Sequence, residues 1–188
     1  MTQDELAVNA ELLKDIMPAY PDWPKPGVLF RDIQGILLVP ALRRKAQESL
    51  IEILPKEKGG YAFDSIICFD ARGFIFGSPL ADAANVPMVL ARKPKKLPGD
   101  TVQQTYGTEY SNDAIEVQIS AIKPGQRVLI HDDLLATGGT SEAAALIIQK
   151  LGGIVAGFHY LIELEGLPGR KLLSKYCTDD KIVSLIKY

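Results

Sequence analysis

The segment Val128–Thr140, VLIHDDLLATGGT, limits what this chain can become more than any other stretch. An apolar run, Val128-Leu129-Ile130-His131, leads into two adjacent acids, Asp132 and Asp133. Beyond Leu134 and Leu135 come Ala136, Thr137, Gly138, Gly139 and Thr140, small residues that suit a tight turn opening a helix. A strand ending in such a turn presents backbone N–H groups and the positive end of a helix dipole, which favour a bound phosphate. Gly138 and Gly139 allow close backbone approach, and Thr137 and Thr140 add hydroxyl donors. Two carboxylates would repel that phosphate, so they need hydroxyls or a hydrated metal ion. A ribose 5-phosphate carries both kinds of group. Asp132 and Asp133 would accept from its 2- and 3-hydroxyls while the turn holds its phosphate. A plain strand–turn–helix with an Asx turn and a capping Thr is the competing reading of Thr-Gly-Gly-Thr taken alone. His131 receives no role.

The rest of the chain alternates in the same way. Glu5–Met17 has helical spacing, and the run from Pro21 to Gly27 cannot continue a helix. Val28–Ile33 is short and mixed. Pro40–Leu54 starts with Pro at a first helical position and places Leu42, Ala46, Leu50, Ile53 and Leu54 on one face. Strand Ser65–Phe69, helix Phe74–Asn85 and strand Val86–Ala91 follow. Leu97–Asp113 reads as a long polar loop. Strand Val128–His131, helix Gly139–Leu151 and strands Ile154–Leu161 and Lys181–Ile186 complete the pattern. Alternating strands and helices imply an α/β fold, a mostly parallel sheet with helices on both faces and ligands at the carboxyl ends of its strands.

Composition narrows the function classes. The length of 188 residues suits one domain. With 21 Lys+Arg against 23 Asp+Glu there is no broad basic face, so no nucleic-acid partner is expected. No apolar run approaches the ~20 residues of a membrane span, so no membrane partner is expected either. Cys68 and Cys177 form no metal spacing or disulfide framework. The acidic N-terminus lacks the features of a signal peptide. A cytoplasmic protein fits these features.

Three further motifs fall at strand ends. Asp70-Ala71-Arg72-Gly73 offers a guanidinium and a close backbone, although a surface Arg in a turn is the plainer reading. Arg92-Lys93-Pro94-Lys95-Lys96 could balance a pyrophosphate or form a solvated edge. Asp100–Asp113 carries Tyr106, Glu109 and Tyr110, and a mobile lid needs such a polar stretch.

Together these segments resemble the type I phosphoribosyltransferases, and Val128–Thr140 closely resembles that family's signature for phosphoribosyl pyrophosphate (PRPP). The likeness runs from about Ala19 to Tyr188. It implies one domain over 1–188, with an N-terminal helix and base-binding hood in 1–35 and a flexible lid in 97–113. Arg92 through Leu97-Pro98-Gly99 resembles the branch of the family that uses adenine, as does Pro26-Gly27-Val28-Leu29-Phe30-Arg31-Asp32. There the backbone at Leu29 and Arg31 would read the adenine edge and Phe30 would stack on the ring. The resemblance makes Asp70, Ala71, Arg72 and Gly73 a pyrophosphate loop, often with a cis peptide between Asp70 and Ala71. It adds Arg92, Lys93, Lys96 and Tyr110 to the PRPP contacts, along with Asp132, Asp133, Ala136, Thr137, Gly138, Gly139 and Thr140. Glu109 and Arg72 become the catalytic pair. The implied reaction converts adenine and PRPP to AMP and pyrophosphate, with Mg2+ carried mainly by PRPP and no direct protein ligand. In that family the Arg at position 92 often reaches the neighbouring subunit's pyrophosphate, so a homodimer is implied. A relative acting on a 6-oxo purine and a non-catalytic PRPP-binding regulator are the rivals.

Overall fold

The computed structural model describes residues 1–107 and 113–188. Glu109 and Tyr110, expected in the lid, lie outside the described residues. Packing divides the chain into two compact units, Met1–Ile53 and Leu54–Tyr188.

In the first unit, helix α1 spans Gln3–Ile16. Thr2 starts it with a reciprocal box: its hydroxyl accepts from Glu5 N–H and its own N–H donates to the Glu5 carboxylate. The next two strands, β1 (Ala19–Pro21) and β2 (Leu29–Arg31), pair antiparallel, so the mixed stretch Val28–Ile33 contains a strand. Their connection holds a cis Trp23–Pro24 bond and Gly27 at φ +83°, whose N–H donates to Asp22. The short helix α2 (Gln34–Leu37) carries no sequence signal, since one turn shows no periodicity. Helix α3 (Pro40–Glu52) opens on Pro40 as expected. Buried Asn9 of α1 donates to Ser49 and accepts from Lys45, tying α1 to α3.

The second unit begins with a small hairpin, β3 (Lys56–Glu57) and β4 (Gly60–Tyr61). Strand β5 (Ser65–Phe69) is buried at every position, as a central parallel strand must be. Helix α4 (Arg72–Ala84) leads to β6 (Met88–Ala91). A hairpin follows, β7 (Thr101–Thr105) and β8 (Ala114–Gln118). Here the structure departs from the sequence reading: the first part of Leu97–Asp113 is a strand, because Thr101-Val102-Gln103-Gln104-Thr105 finds a partner in Ala114–Gln118. Strand β9 runs through Arg127–Leu135, so Asp132 and Asp133 lie within it rather than after it. Helix α5 (Gly139–Lys150), strand β10 (Ile154–Glu163), the short helix α6 (Gly169–Leu173) and strand β11 (Ile182–Lys187) complete the unit.

Five strands form one parallel sheet in the order β11-β10-β9-β5-β6. The step from β5 to β6 goes one way across it and the step from β9 to β10 goes the other. Right-handed crossovers in opposite directions put their helices on opposite faces. Accordingly Cys68 and His131 face α4 at Gly77, while Ile67, Phe69, Ile130 and Phe158 join the core with Ala144, Ile147 and Ile148 of α5. Ile115 and Val117 of β8 extend that core. The order reverses between β5 and β9, which is where an open α/β sheet leaves a crevice for a ligand. Among the described residues no helix is long and apolar enough to cross a membrane.

Candidate active site

Residues 136–140 turn the carboxyl end of β9 into α5. Gly138 sits at φ +84°, a left-handed conformation that glycine adopts without strain. No side chain caps α5, so the capping-Thr reading does not hold and the first-turn N–H groups remain available to an anion. The loop is backed by main chain: Leu164 N–H donates to Leu135 O at 3.0 Å and Gly169 N–H to Ala136 O at 3.1 Å. The backing is so close that a Cβ on Gly169 would lie 2.3 Å from Ala136 O. A small cleft lined by residues 134–141 and Asp132 opens above this turn.

A second cleft, lined in part by Asp70, Ala71, Arg72, Arg92 and Lys93, shares Asp132 and Thr140 with the first. Asp133 is only 3% exposed, and its Oδ2 lies 2.9 Å from Arg72 Nε. Asp132 Oδ1 accepts from Asp133 N–H and lies against Gly73, where a Cβ would approach it to 2.9 Å. Burial pushes the Asp132 carboxyl well above the usual carboxylate range, and the charge on Asp133 pushes it further. Burial also raises Asp133, with Arg72 pulling the other way. Two carboxyls so placed favour ligands that donate hydrogen bonds or bring positive charge.

The Asp70–Ala71 peptide is cis, as the resemblance implies. Asp70 Oδ2 accepts from Arg92 Nε at 2.9 Å and Nη2 at 2.8 Å, and Arg92 Nη1 donates to Lys96 O at 3.0 Å. Within one chain the Arg92 guanidinium is thus taken up by its own loop and by β5's end. Lys96 and Gly73 do not line either cleft, although both border residues that do. Leu29, Phe30 and Arg31 form β2 of the first unit, where Phe30 meets Trp23 nearly edge-on at 4.4 Å between ring centres.

Sequence reasoning assigned no role to three residues. Tyr106 lines the second cleft and lies close to Gly139; an aromatic residue in a polar stretch was the available signal. Glu116 is a buried acid between Ile115 and Val117, and its apolar flanks were the signal. Gly169 carries no local signal, because its role comes from contact with a loop distant in sequence.

Beneath Asp132 lies a buried histidine pair. His131 Nδ1 is 3.0 Å from both His159 Nδ1 and His159 O. A carbonyl oxygen can only accept, so His131 Nδ1 carries the proton and His159 Nδ1 accepts. His131 Nε2 is then an unprotonated, buried acceptor with no hydrogen-bond partner among the described residues. Burial and the facing His159 hold His131 well below the ordinary 6.5, so the His131 ring is neutral at pH 7.

The sequence pattern of the phosphoribosyl transferase domain family matches residues 36–184. The adenine phosphoribosyltransferase of Desulfitobacterium hafniense is 47% identical over 167 residues, 89% of this chain and 92% of that protein. That of Agathobacter rectalis is 44% identical over 167 residues, 89% of this chain and 94% of that protein. Among solved structures, the adenine phosphoribosyltransferase of Thermoanaerobacter pseudethanolicus superposes with a TM-score of 0.86 at 43% identity, covering 95% of this chain and 99% of that one. The Saccharomyces cerevisiae enzyme, solved with adenine and an imino-altritol bisphosphate, gives 0.78 at 35% identity over 96% of this chain and 97% of that one.

Proposed function

The chain belongs to the phosphoribosyl transferase domain family and, within it, to the adenine phosphoribosyltransferases, and we propose that the crevice between β5 and β9 carries their reaction. Adenine N9 forms a bond to C1 of the ribose. Pyrophosphate leaves with the electron pair of the broken C1–O bond, and the base gives up one proton. AMP and pyrophosphate result.

The phosphate turn Ala136, Thr137, Gly138, Gly139 and Thr140 holds the 5-phosphate. Asp132 and Asp133 accept from the ribose hydroxyls and place negative charge beside the positive charge that develops at C1. Arg72, the backbone of Asp70, Ala71 and Gly73, and the cations Arg92, Lys93 and Lys96 receive the departing pyrophosphate. Leu29, Phe30 and Arg31 read the base, Tyr110 contacts PRPP and Glu109 manages the base proton, by resemblance to the family. Fixed donors and acceptors of this kind act by positioning and charge stabilisation.

Asp132 and Asp133 have the hard oxygens that Mg2+ prefers, but Asp133 Oδ2 is committed to Arg72. No group of three acidic, His or Cys side chains gathers among the described residues. This donor set suits an ion held by PRPP oxygens and water, where it would neutralise the leaving group's charge. A cytoplasmic location agrees with two free thiols, Cys68 and Cys177. A homodimer agrees with the edge position of β6 in the main sheet and its exposed Leu90, and light scattering on the purified protein would test it.

One observation carries the reading: an uncapped glycine turn, the adjacent acids Asp132 and Asp133, and the cations Arg72, Arg92 and Lys93 converge at the switch point of a parallel sheet. The test is turnover of adenine with PRPP and Mg2+ against guanine and hypoxanthine. Adenine should be preferred strongly, and a preference for a 6-oxo purine would sink the assignment.

A further inference from the structure

Glu116 is an acid buried in β8, yet among the described residues it forms no ion pair. Its neighbours in space are the backbone of the cationic loop. Oε1 accepts from Lys96 N–H and from Leu97 N–H, each at 2.9 Å, and Oε2 accepts from the Thr101 hydroxyl at 3.4 Å. The main chain of Glu116 also bridges Arg92 in both directions, at 3.1 and 2.7 Å. Burial alone would raise this carboxyl, but the backbone donors outweigh it and hold it below its ordinary value, so it is an anion at neutral pH.

The loop closed by these bonds has few other constraints. Lys95 turns it at φ +67°, and Arg92 Nη1 fastens Lys96 O from the far side. Remove the Glu116 carboxylate and two inward N–H donors lose their acceptor, which frees the segment to rearrange. Because Glu116 spends its lone pairs on main chain, it orders the loop without claiming the ammonium groups of Lys93, Lys95 and Lys96. Thr101 opens β7, so the same carboxylate also reaches the start of the β7–β8 hairpin.

We infer that Glu116 is a positioning residue for pyrophosphate: its buried carboxylate clamps the Lys96 and Leu97 amides and so presets the Arg92–Lys96 cations for the PRPP diphosphate. This rests on the assignment of those cations to pyrophosphate. The wild-type enzyme is assayed first, and failure to turn over adenine and PRPP there would refute that assignment, not the clamp alone.

The test compares Glu116→Gln, Glu116→Asp and Glu116→Ala for the KM of PRPP and of adenine, and for pyrophosphate affinity by calorimetry. Gln keeps an acceptor oxygen at the same reach and loses the charge. Asp keeps the charge and falls one methylene short of the amides. The clamp predicts PRPP and pyrophosphate binding within about threefold of wild type for Gln. It predicts a loss of roughly tenfold or more for Asp and Ala, the scale of one charge-assisted hydrogen bond, with the adenine KM unchanged. If Asp binds like wild type while Gln does not, the charge and not the clamp matters, and the inference fails. It fails equally if all variants lose adenine and PRPP affinity alike with a lowered melting temperature, which marks a purely structural residue. Should Glu116→Ala not fold, the Gln and Asp pair still decides between these outcomes.

Discussion

The two loops of the second unit that are proposed to hold the anionic ends of PRPP are held by different physics. The phosphate turn, residues 136–140, is fixed by main-chain hydrogen bonds and by glycine-to-glycine contact: a Cβ on Gly138 would meet Gly169 Cα at 3.1 Å. Among the described residues no charged side chain braces it. The loop of residues 92–97 has main-chain bonds only at Arg92, which pairs with Glu116, and beyond that it is fixed by charged side chains, with Arg92 on Asp70 and the Glu116 carboxylate on two amides. A turn held by close packing is sensitive to volume and indifferent to charge. A loop held by charged side chains, one of them in a partly exposed ion pair, tolerates volume and answers to charge and salt. This division suits a ligand whose 5-phosphate stays on the product while its diphosphate must leave.

Four substitutions would sharpen or break this contrast. Asp133 is where the two sides meet, through Arg72. Asp133→Asn should cut kcat/KM for PRPP by roughly a hundredfold, as loss of a buried charged acceptor implies; steady-state kinetics near the wild-type value would remove Asp133 from the ribose role. Gly169→Ala should drive a methyl into Ala136 O, costing about 2 kcal/mol of loop fit and roughly thirtyfold in PRPP affinity. That loss should be nearly independent of salt, and a strong salt dependence in titrations would contradict a packing-held turn. Arg92→Ala should weaken PRPP binding by only about fivefold to tenfold, since its ion pair is partly exposed. Arg92→Lys should not restore it, because one ammonium cannot reach both Asp70 and Lys96 O as the planar guanidinium does; full rescue by Lys would show that charge alone suffices.

The smallest effect concerns neither loop but the strand beneath Asp132. In the native state His131 stays neutral well below 6.5, whereas in the unfolded chain it takes a proton near that value. A depressed histidine therefore leaves stability intact above pH 6.5, and stability falls as pH drops below it, by about 1.4 kcal/mol per unit for one group. His131→Leu should flatten the difference in urea midpoint between pH 7.5 and 5.5 while leaving PRPP affinity at pH 7.5 nearly unchanged. Identical pH dependence in the two proteins would show that His131 is not the group responsible.

Much of the molecule was legible because its causes are local. The run Ser65–Phe69 is apolar after its first residue and is a strand at those limits. Pro40 starts α3, and the Gly138-Gly139 turn opens α5 where its residues demand. The stretch Leu97–Asp113 misled, since nothing in Thr101–Thr105 announces that Ala114–Gln118 will pair with it. Glu116 escaped notice for the same reason: its partners, Lys96 and Leu97, are fixed by that pairing.

The sequence by itself determined the strand–helix alternation, the phosphate turn and the residue types at each strand end, because periodicity and turn chemistry act over a few neighbours. Only the tertiary structure decided that β5 lies beside β9. That adjacency sets Arg72 at 2.9 Å from Asp133, and the pairing of β9 with β10 sets His131 against His159. Strand order is chosen by the burial of whole faces and the hand of the crossovers, and no short stretch of residues encodes either.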